Sequence, residues 1–267
     1  MSVFSAEWLD LREPYDAAAR NRTVLEAVAA AFKDRFAITV ADLGCGTGST
    51  LRAIASHLPG RQTWRLYDNN LGLLTRPTEQ PPGAHVHRIA LDLARDLELA
   101  LDGPVDLVTA SALLDLVSDV WVDRLAVEAA TRRLPVYAAL IYDGRVTFSP
   151  PDPLDARVIA AVNRHQLTDK GFGPALGPSA APFAMKRFQR VGYTVSAGRS
   201  DWEFAPTDRE IQMQLLAGWA QAAQAVGVVP LSRVQDWLAR RRDLVGAGRS
   251  TLRVGHMDFF AWPMTTL

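Results

Sequence analysis

The spacing of apolar positions changes character at about residue 150. Before it, short β-branched runs alternate with amphipathic stretches. Residues 16–36 place Val24, Leu25, Val28 and Phe32 at helical spacing, which predicts an amphipathic helix. The run "ITVADLG" is apolar at nearly every position, as a strand covered on both faces of a parallel sheet should be. "STLRAIASHL" returns to helical spacing through Leu51, Ile54 and Leu58, with Ser49 or Thr50 available as N-cap. Further strands are predicted over 62–68, 83–93, from 105 onward and 135–149, with a helix at "DVWVDRLAVEAATRRL". This alternation predicts an α/β fold with a doubly wound, mostly parallel sheet.

After residue 150 the order changes. A helix and a Gly/Pro-rich loop come first, then a helical "APFAMKRFQRVG" and a strand over 193–206. Two helical stretches, 207–227 and 231–246, separate that strand from a final one at "STLRVGHMDFFAWP". The count reaches seven strands. Short Pro/Gly segments read as loops, so the expectation is a single domain over 1–267 with an N-terminal segment, 1–23, and a helical insertion, 207–249, as cap or homodimer surface.

Composition narrows the function. Twenty-nine basic residues balance 29 acidic ones. A nucleic-acid or acidic-membrane binder needs a basic field that this chain lacks. The single cysteine, Cys45, permits no internal disulfide and makes a cytoplasmic setting the default. The N-terminus lacks a basic-then-apolar leader, and no uncharged apolar stretch approaches the roughly 18 residues of a membrane span. No Cys/His cluster suggests a metal.

The candidate chemistry starts at "DLGCGTGST", residues 42–50, between a strand and a helix. Such a turn lets a ligand approach backbone, and free helix N–H groups favour negative charge. No lysine follows the glycines, which excludes a P-loop. Ser49 stands where a dinucleotide fingerprint needs its third glycine, so the spacing is G-x-G-x-G and counts against an NAD-type oxidoreductase.

That spacing, with Asp42 two residues ahead of Gly44, resembles the first motif of class I S-adenosylmethionine-dependent methyltransferases. The order of elements resembles the family over residues 24–149. The resemblance implies a Rossmann-like methyltransferase fold and S-adenosylmethionine as cofactor, with Gly44, Cys45, Gly46 and Gly48 against its methionine and ribose portions. Asp42 would fix the turn or the ligand's amino group, and Cys45 would be a small filler. Asp68 falls where the family's acidic residue holds both ribose hydroxyls, beside Asn69; capping of "NNLGLL" is its other reading. Asp92 and Leu93 match the adenine-side position, with Asp92 competing against Asp96 as a helix cap. Ala110 and Ser111 match the stretch that lines the methionine arm. Arg12 and Tyr15, with Trp8, resemble lid residues over the cofactor. The family's last two strands usually form a short hairpin; here two helices intervene, which leaves that topology open.

The acceptor is less legible. The [DNS]-P-P-[YFW] signature of nucleic-acid and protein amino methyltransferases is absent, since "ASALL" stands after the fourth strand. A small-molecule acceptor is therefore expected. Tyr142 and Asp143 follow the fifth strand, at the sheet edge where open α/β sheets bind ligands. Residues 163–178 gather His165, Asp169, Lys170 and Phe172, predicting an acceptor loop with His165, Asp169 and Tyr142 as catalytic candidates. Asp115 and Trp202 complete the substrate candidates, and His256 reads as a core or edge histidine. A cofactor-binding protein without catalysis is the alternative of a different class.

Overall fold

The apolar pattern resolves into ten helices and eight strands in a computed structural model that describes residues 4–76 and 80–264. The first three residues of the expected lid segment lie outside the described residues. In chain order come α1 (Ala6–Ala19), α2 (Arg22–Phe32), β1 (Ala37–Leu43), α3 (Ser49–Ile54) and β2 (Arg61–Asp68). They are followed by α4 (Leu71–Leu74), β3 (Ala84–Ala90), α5 (Leu97–Ala100), β4 (Leu107–Ser111), α6 (Asp119–Arg132) and β5 (Val136–Ser149). The remainder is α7 (Asp155–Gln166), α8 (Ala180–Arg190), β6 (Tyr193–Arg199), β7 (Trp202–Phe204), α9 (Arg209–Val226), α10 (Leu231–Gly246) and β8 (Thr251–Pro263).

The sheet order is β3-β2-β1-β4-β5-β8-β6, with β7 also paired to β8. Strands β1 to β5 run parallel, and β8 is antiparallel to its neighbours β5, β6 and β7. The open question of the last strands is thereby answered: β8 inserts between β5 and β6 although two helices lie in the connection. The expected strand over 193–206 is two strands. At the break, Ser200 N–H donates to His256 O, and the Asp201 carboxylate accepts from His256 N–H.

The expected helix over 16–36 is likewise two. Arg20 adopts an extended backbone, and Asn21 caps α2 by accepting from Val24 N–H at 3.1 Å. Asn21's own N–H donates to Asp258 at 2.9 Å. A capping residue with a buried acceptor for its amide outcompetes continuation of the helix. Val24, Val28 and Phe32 then fall on one buried stripe of α2. Each contributes about 1.5–3 kcal/mol through removal from water.

Two apolar layers cover the faces of the parallel sheet. One joins α2 and α3 to Trp64, Tyr137 and Phe260; the other joins α5, α6 and α8 to Val108, Val136 and Phe259. A third cluster has no counterpart in the sheet. Strands β5 and β8 run on beyond β4 as a ribbon with β7, and α7, α9 and α10 pack around Phe148, Trp219 and Trp237 on it. The 207–249 segment thus brings its own core to the C-terminal edge of the sheet. No helix among the described residues is long and apolar enough to cross a membrane.

Candidate functional site

The glycine turn owes its shape to left-handed backbone. Gly44, Gly46 and Gly48 have φ of 66°, 55° and 87°, a region that side chains disfavour. Cys45 N–H donates to Tyr67 O at 3.0 Å, tying the turn to β2. A Cβ on Gly46 would lie 3.1 Å from the Leu9 side chain of α1. A side chain at Gly46 would thus need left-handed backbone and a small retreat of the Leu9 side chain. Gly48 caps α3 from behind, while Gly44, Cys45 and Gly46 line a cavity of about 870 Å³. Cys45 is buried, and burial pushes its thiol pKa up, away from nucleophilic character.

Asp68 ends β2 at the cavity wall. Its two oxygens accept N–H bonds from Gly46 and Asn70, both at 2.9 Å. Each oxygen retains a second lone-pair direction for a ligand hydroxyl. Asn70, not Asp68, caps α4. Asn69 lines the same wall. After β3, Asp92 and Leu93 also line it; Asp92 accepts from Ala94 N–H at 3.0 Å, while Asp96 precedes α5 without a side-chain cap bond. Ser111 lines the cavity as the last residue of β4, whereas Ala110 lies one residue inside the buried strand. Asp42 is sealed beneath the turn, accepting from Thr109 Oγ1 at 2.7 Å, and burial pushes its pKa up to about 7.

Helix α1 forms the opposite wall with Trp8, Leu9, Arg12 and Asp16. Arg12 pairs with Asp16 at 2.8 Å and lies over the Trp202 ring, and Trp202 Nε1–H donates to Asp16 at 2.9 Å. The helix is held by a bidentate Arg52–Glu13 pair on α3. Tyr15 stands outside the cavity lining: its hydroxyl donates to Asp208 at 2.9 Å and its ring meets Phe204 edge-on, so it docks α1 onto the cap.

The rest of the cavity is lined by Asp115, Tyr142, His165, Lys170, Phe172 and Trp202, which the structure brings together from five segments. Tyr142 lies within β5, as does Asp143, rather than after the strand as expected. Its hydroxyl donates to Asn163 Oδ1 at 2.7 Å, and burial pushes its phenol pKa well up. Asp115 is buried, and loss of water lifts its pKa to about 6. His165 is the penultimate residue of α7 and not part of a loop; burial and the nearby Lys170 lower its pKa. Lys170 donates to His165 O and Thr168 Oγ1. Two expected members stand outside the lining. Asp169 accepts from the Gly171 and Gly173 N–H groups and caps its own turn. Asp143 is tied to Arg145, which also pairs with Asp201.

Several lining residues escaped sequence reasoning. His256 of β8 lines the cavity, 4.6 Å from Trp202 between ring centroids, and burial pushes its pKa down to about 3. Leu215 and Trp219 of α9 line it from the cap. Ala112 and Leu140 line it in left-handed backbone, φ 51° and 54°, a strain that side-chain-bearing residues keep only where their surroundings impose it. The imposing group at Leu140 is Asp258: Oδ1 accepts Leu140 N–H at 2.7 Å across a register shift in β5. Its other oxygen accepts from Asn21 N–H and Tyr137 OH, and Arg20 bridges Tyr137 to Ser111. An acid within "HMDFFAW" was the one available signal. Among the described residues no three His, Cys, Asp or Glu side chains converge as a metal would require.

No family model matches the chain, and no curated protein matches it in sequence. Solved structures do. The chain is similar to a cyclopropane-fatty-acyl-phospholipid synthase-like protein from Lactobacillus casei, at 17% identity and a TM-score of 0.55, over 97% of this chain and 94% of that one. It is also similar to a candidate type II methyltransferase from Anaeromyxobacter dehalogenans, at 16% identity and a TM-score of 0.52, over 92% and 98% of the two chains. What is shared at such identity is the fold, and it is the class I S-adenosylmethionine-dependent methyltransferase fold.

Proposed function

We propose that the protein is a methyltransferase that binds S-adenosylmethionine and methylates a small-molecule acceptor. The observation that carries this reading is Asp68. Its carboxylate stands at the cavity wall beside the left-handed glycine turn, pinned by two backbone N–H groups and with lone pairs to spare for a ribose diol. The residues present fit the cofactor. Asp92 and Leu93 would flank the adenine, Asp68 and Asn69 the ribose, and Gly44, Gly46, Ser111 and Arg12 the methionine portion. When bound, that group supplies an activated methyl on a sulfonium, so the protein's task is alignment and exclusion of water.

The remaining half of the cavity supports a small acceptor. Tyr142, Phe172, Trp202 and Trp219 give it an apolar lining, while Asp115 and His256 supply polar groups, a mixture typical of small-ligand sites. The balanced formal charge supports neither a nucleic-acid nor a membrane partner. A single buried cysteine agrees with work in the cytoplasm. The test is calorimetry with S-adenosylhomocysteine and NAD, followed by methyl transfer from labelled S-adenosylmethionine to a metabolite extract. Binding of the homocysteine product with no binding of NAD, and label in a small product, is the expected result. Tighter binding of NAD, or no transfer to any acceptor, would overturn the reading.

A further inference from the structure

One ionisable oxygen in the second half of the cavity has nothing to bind. Asp115 sits in the tight turn Leu114–Leu116 that follows β4, is 5% exposed and lines the cavity. Its Oδ1 has no hydrogen-bond partner among the described residues. Burying a carboxylate oxygen without a partner is costly, and loss of water lifts the group's pKa to about 6. Arg12 is a cation whose charge acts on it, yet its guanidinium is paired to Asp16 at 2.8 Å. Lys170 spends its ammonium on His165 O and Thr168 Oγ1. His256, pushed down to about 3 by burial, is neutral and lies beside Val254 O at 3.1 Å. Backbone N–H groups of Asp115 and Tyr142 and the charge of Arg12 act on the carboxylate, yet among the described residues no ion pair closes on it and its Oδ1 stays unfilled.

The same cavity carries many aromatic rings. Trp8, Tyr142, Phe172, Trp202 and Trp219 all line the same cavity. Ring faces attract cations and, like any apolar surface, take up hydrocarbon. An anionic ligand would meet Asp115 as a like charge, and a neutral hydroxyl would fill its hydrogen bond without matching its charge.

We propose that Asp115 anchors a basic amine borne on an apolar body that the rings enclose, and that this amine is the methyl acceptor. The proposal rests on the methyltransferase reading and specifies its acceptor class. The anchoring carboxylate is also placed to receive the proton that the nitrogen must shed. In that step the N–H pair stays on nitrogen as its lone pair and the proton goes to Asp115. The lone pair then forms the N–C bond while the donor's S–C bond breaks and leaves its pair on sulfur.

The experiment is calorimetry on the full chain saturated with S-adenosylhomocysteine, using phenethylamine, 2-phenylethanol and 3-phenylpropionate, with a series of smaller and larger arylamines. The amine should bind at least tenfold more tightly than its neutral and anionic isosteres at pH 7.5. In Asp115→Asn that preference should fall below twofold, with S-adenosylhomocysteine affinity within threefold of wild type. Equal binding of the three isosteres, no binding across the arylamine series, or a preference that survives Asp115→Asn would overturn the proposal. A tenfold loss of S-adenosylhomocysteine affinity in that variant would assign the carboxylate to the cofactor and overturn it as well. Should Asp115→Asn not fold, the wild-type ranking of isosteres decides. If S-adenosylhomocysteine itself does not bind, the methyltransferase reading fails separately, and the amine ranking on the ligand-free protein still judges Asp115.

Discussion

The two halves of the cavity are built by different means. The half around Asp68 is made of backbone and of residues at the ends of consecutive parallel strands, held by backbone N–H groups two residues on or on the neighbouring strand's turn. Asp68 holds Gly46 and Asn70; Asp92 holds Ala94. The half around Asp115 is made of side chains from α1, β5, α7, the loop after α7, α9, β7 and β8, most of them gathered where a ribbon and three helices form the third apolar cluster. The first half is set by local geometry that any sheet of this order provides. The second is set by packing peculiar to this chain, and it carries the unpaired charge. A common binding task and a particular one are divided along that line.

Asp258 underlies both halves, so its removal should do the most harm. Asp258→Ala strips the acceptor from Leu140 and Asn21 N–H and removes one of the buried anions that act on Arg20. The expected loss is about 3–5 kcal/mol in denaturant unfolding, a fall in Tm on the order of 10 °C. A change below 1 kcal/mol would show that the strained Leu140 backbone is held by something else.

The acceptor half should be sharpened by pH. Asp115 has its pKa raised from 3.8 to about 6 in the folded chain. Between those values the folded state holds a proton that the unfolded state sheds, so this group's contribution falls as pH rises through the window. Asp115→Asn should accordingly match wild type near pH 3.5 and gain stability up to pH 7, by on the order of 3 kcal/mol. Unfolding measured across that range tests it, and a gain independent of pH would contradict the unpaired carboxylate.

The cofactor half should respond in affinity. Asp68→Ala should weaken S-adenosylmethionine binding by about 1.5–3 kcal/mol, roughly 10- to 150-fold, with Asp115→Asn leaving it nearly unchanged. Calorimetry of the two variants side by side would break the division if they behaved alike. The smallest effect belongs to Asp169→Ala. Loss of its two exposed N–H bonds to Gly171 and Gly173 should cost about 1 kcal/mol and leave S-adenosylhomocysteine affinity unaltered. A large loss of affinity would place that loop nearer the ligand than its hydrogen bonds indicate.

The sequence by itself determined the parallel sheet, the glycine turn and the positions of Asp68, Asp92 and Ser111. Each of these depends on neighbours a few residues away: strand period, a turn that needs left-handed φ, a carboxylate at a strand end. Tertiary structure alone decided the rest. The break at Arg20 and Asn21 depends on Asp258, more than 230 residues along the chain. Leu140 sits in an unbroken apolar run that carries no turn signal, and its strain comes from the same carboxylate. Tyr15 and Asp143 carry the right chemistry for a site, but long-range partners, Asp208 and the Arg145–Asp201 pair, claim them for docking and bracing. His256 turns from an edge histidine into a cavity residue because β8 inserts beside β5 and Trp202 packs against its ring. Local propensity acts over one turn of chain, whereas a buried charge chooses its partners wherever folding brings them, and only the packed chain reveals that choice.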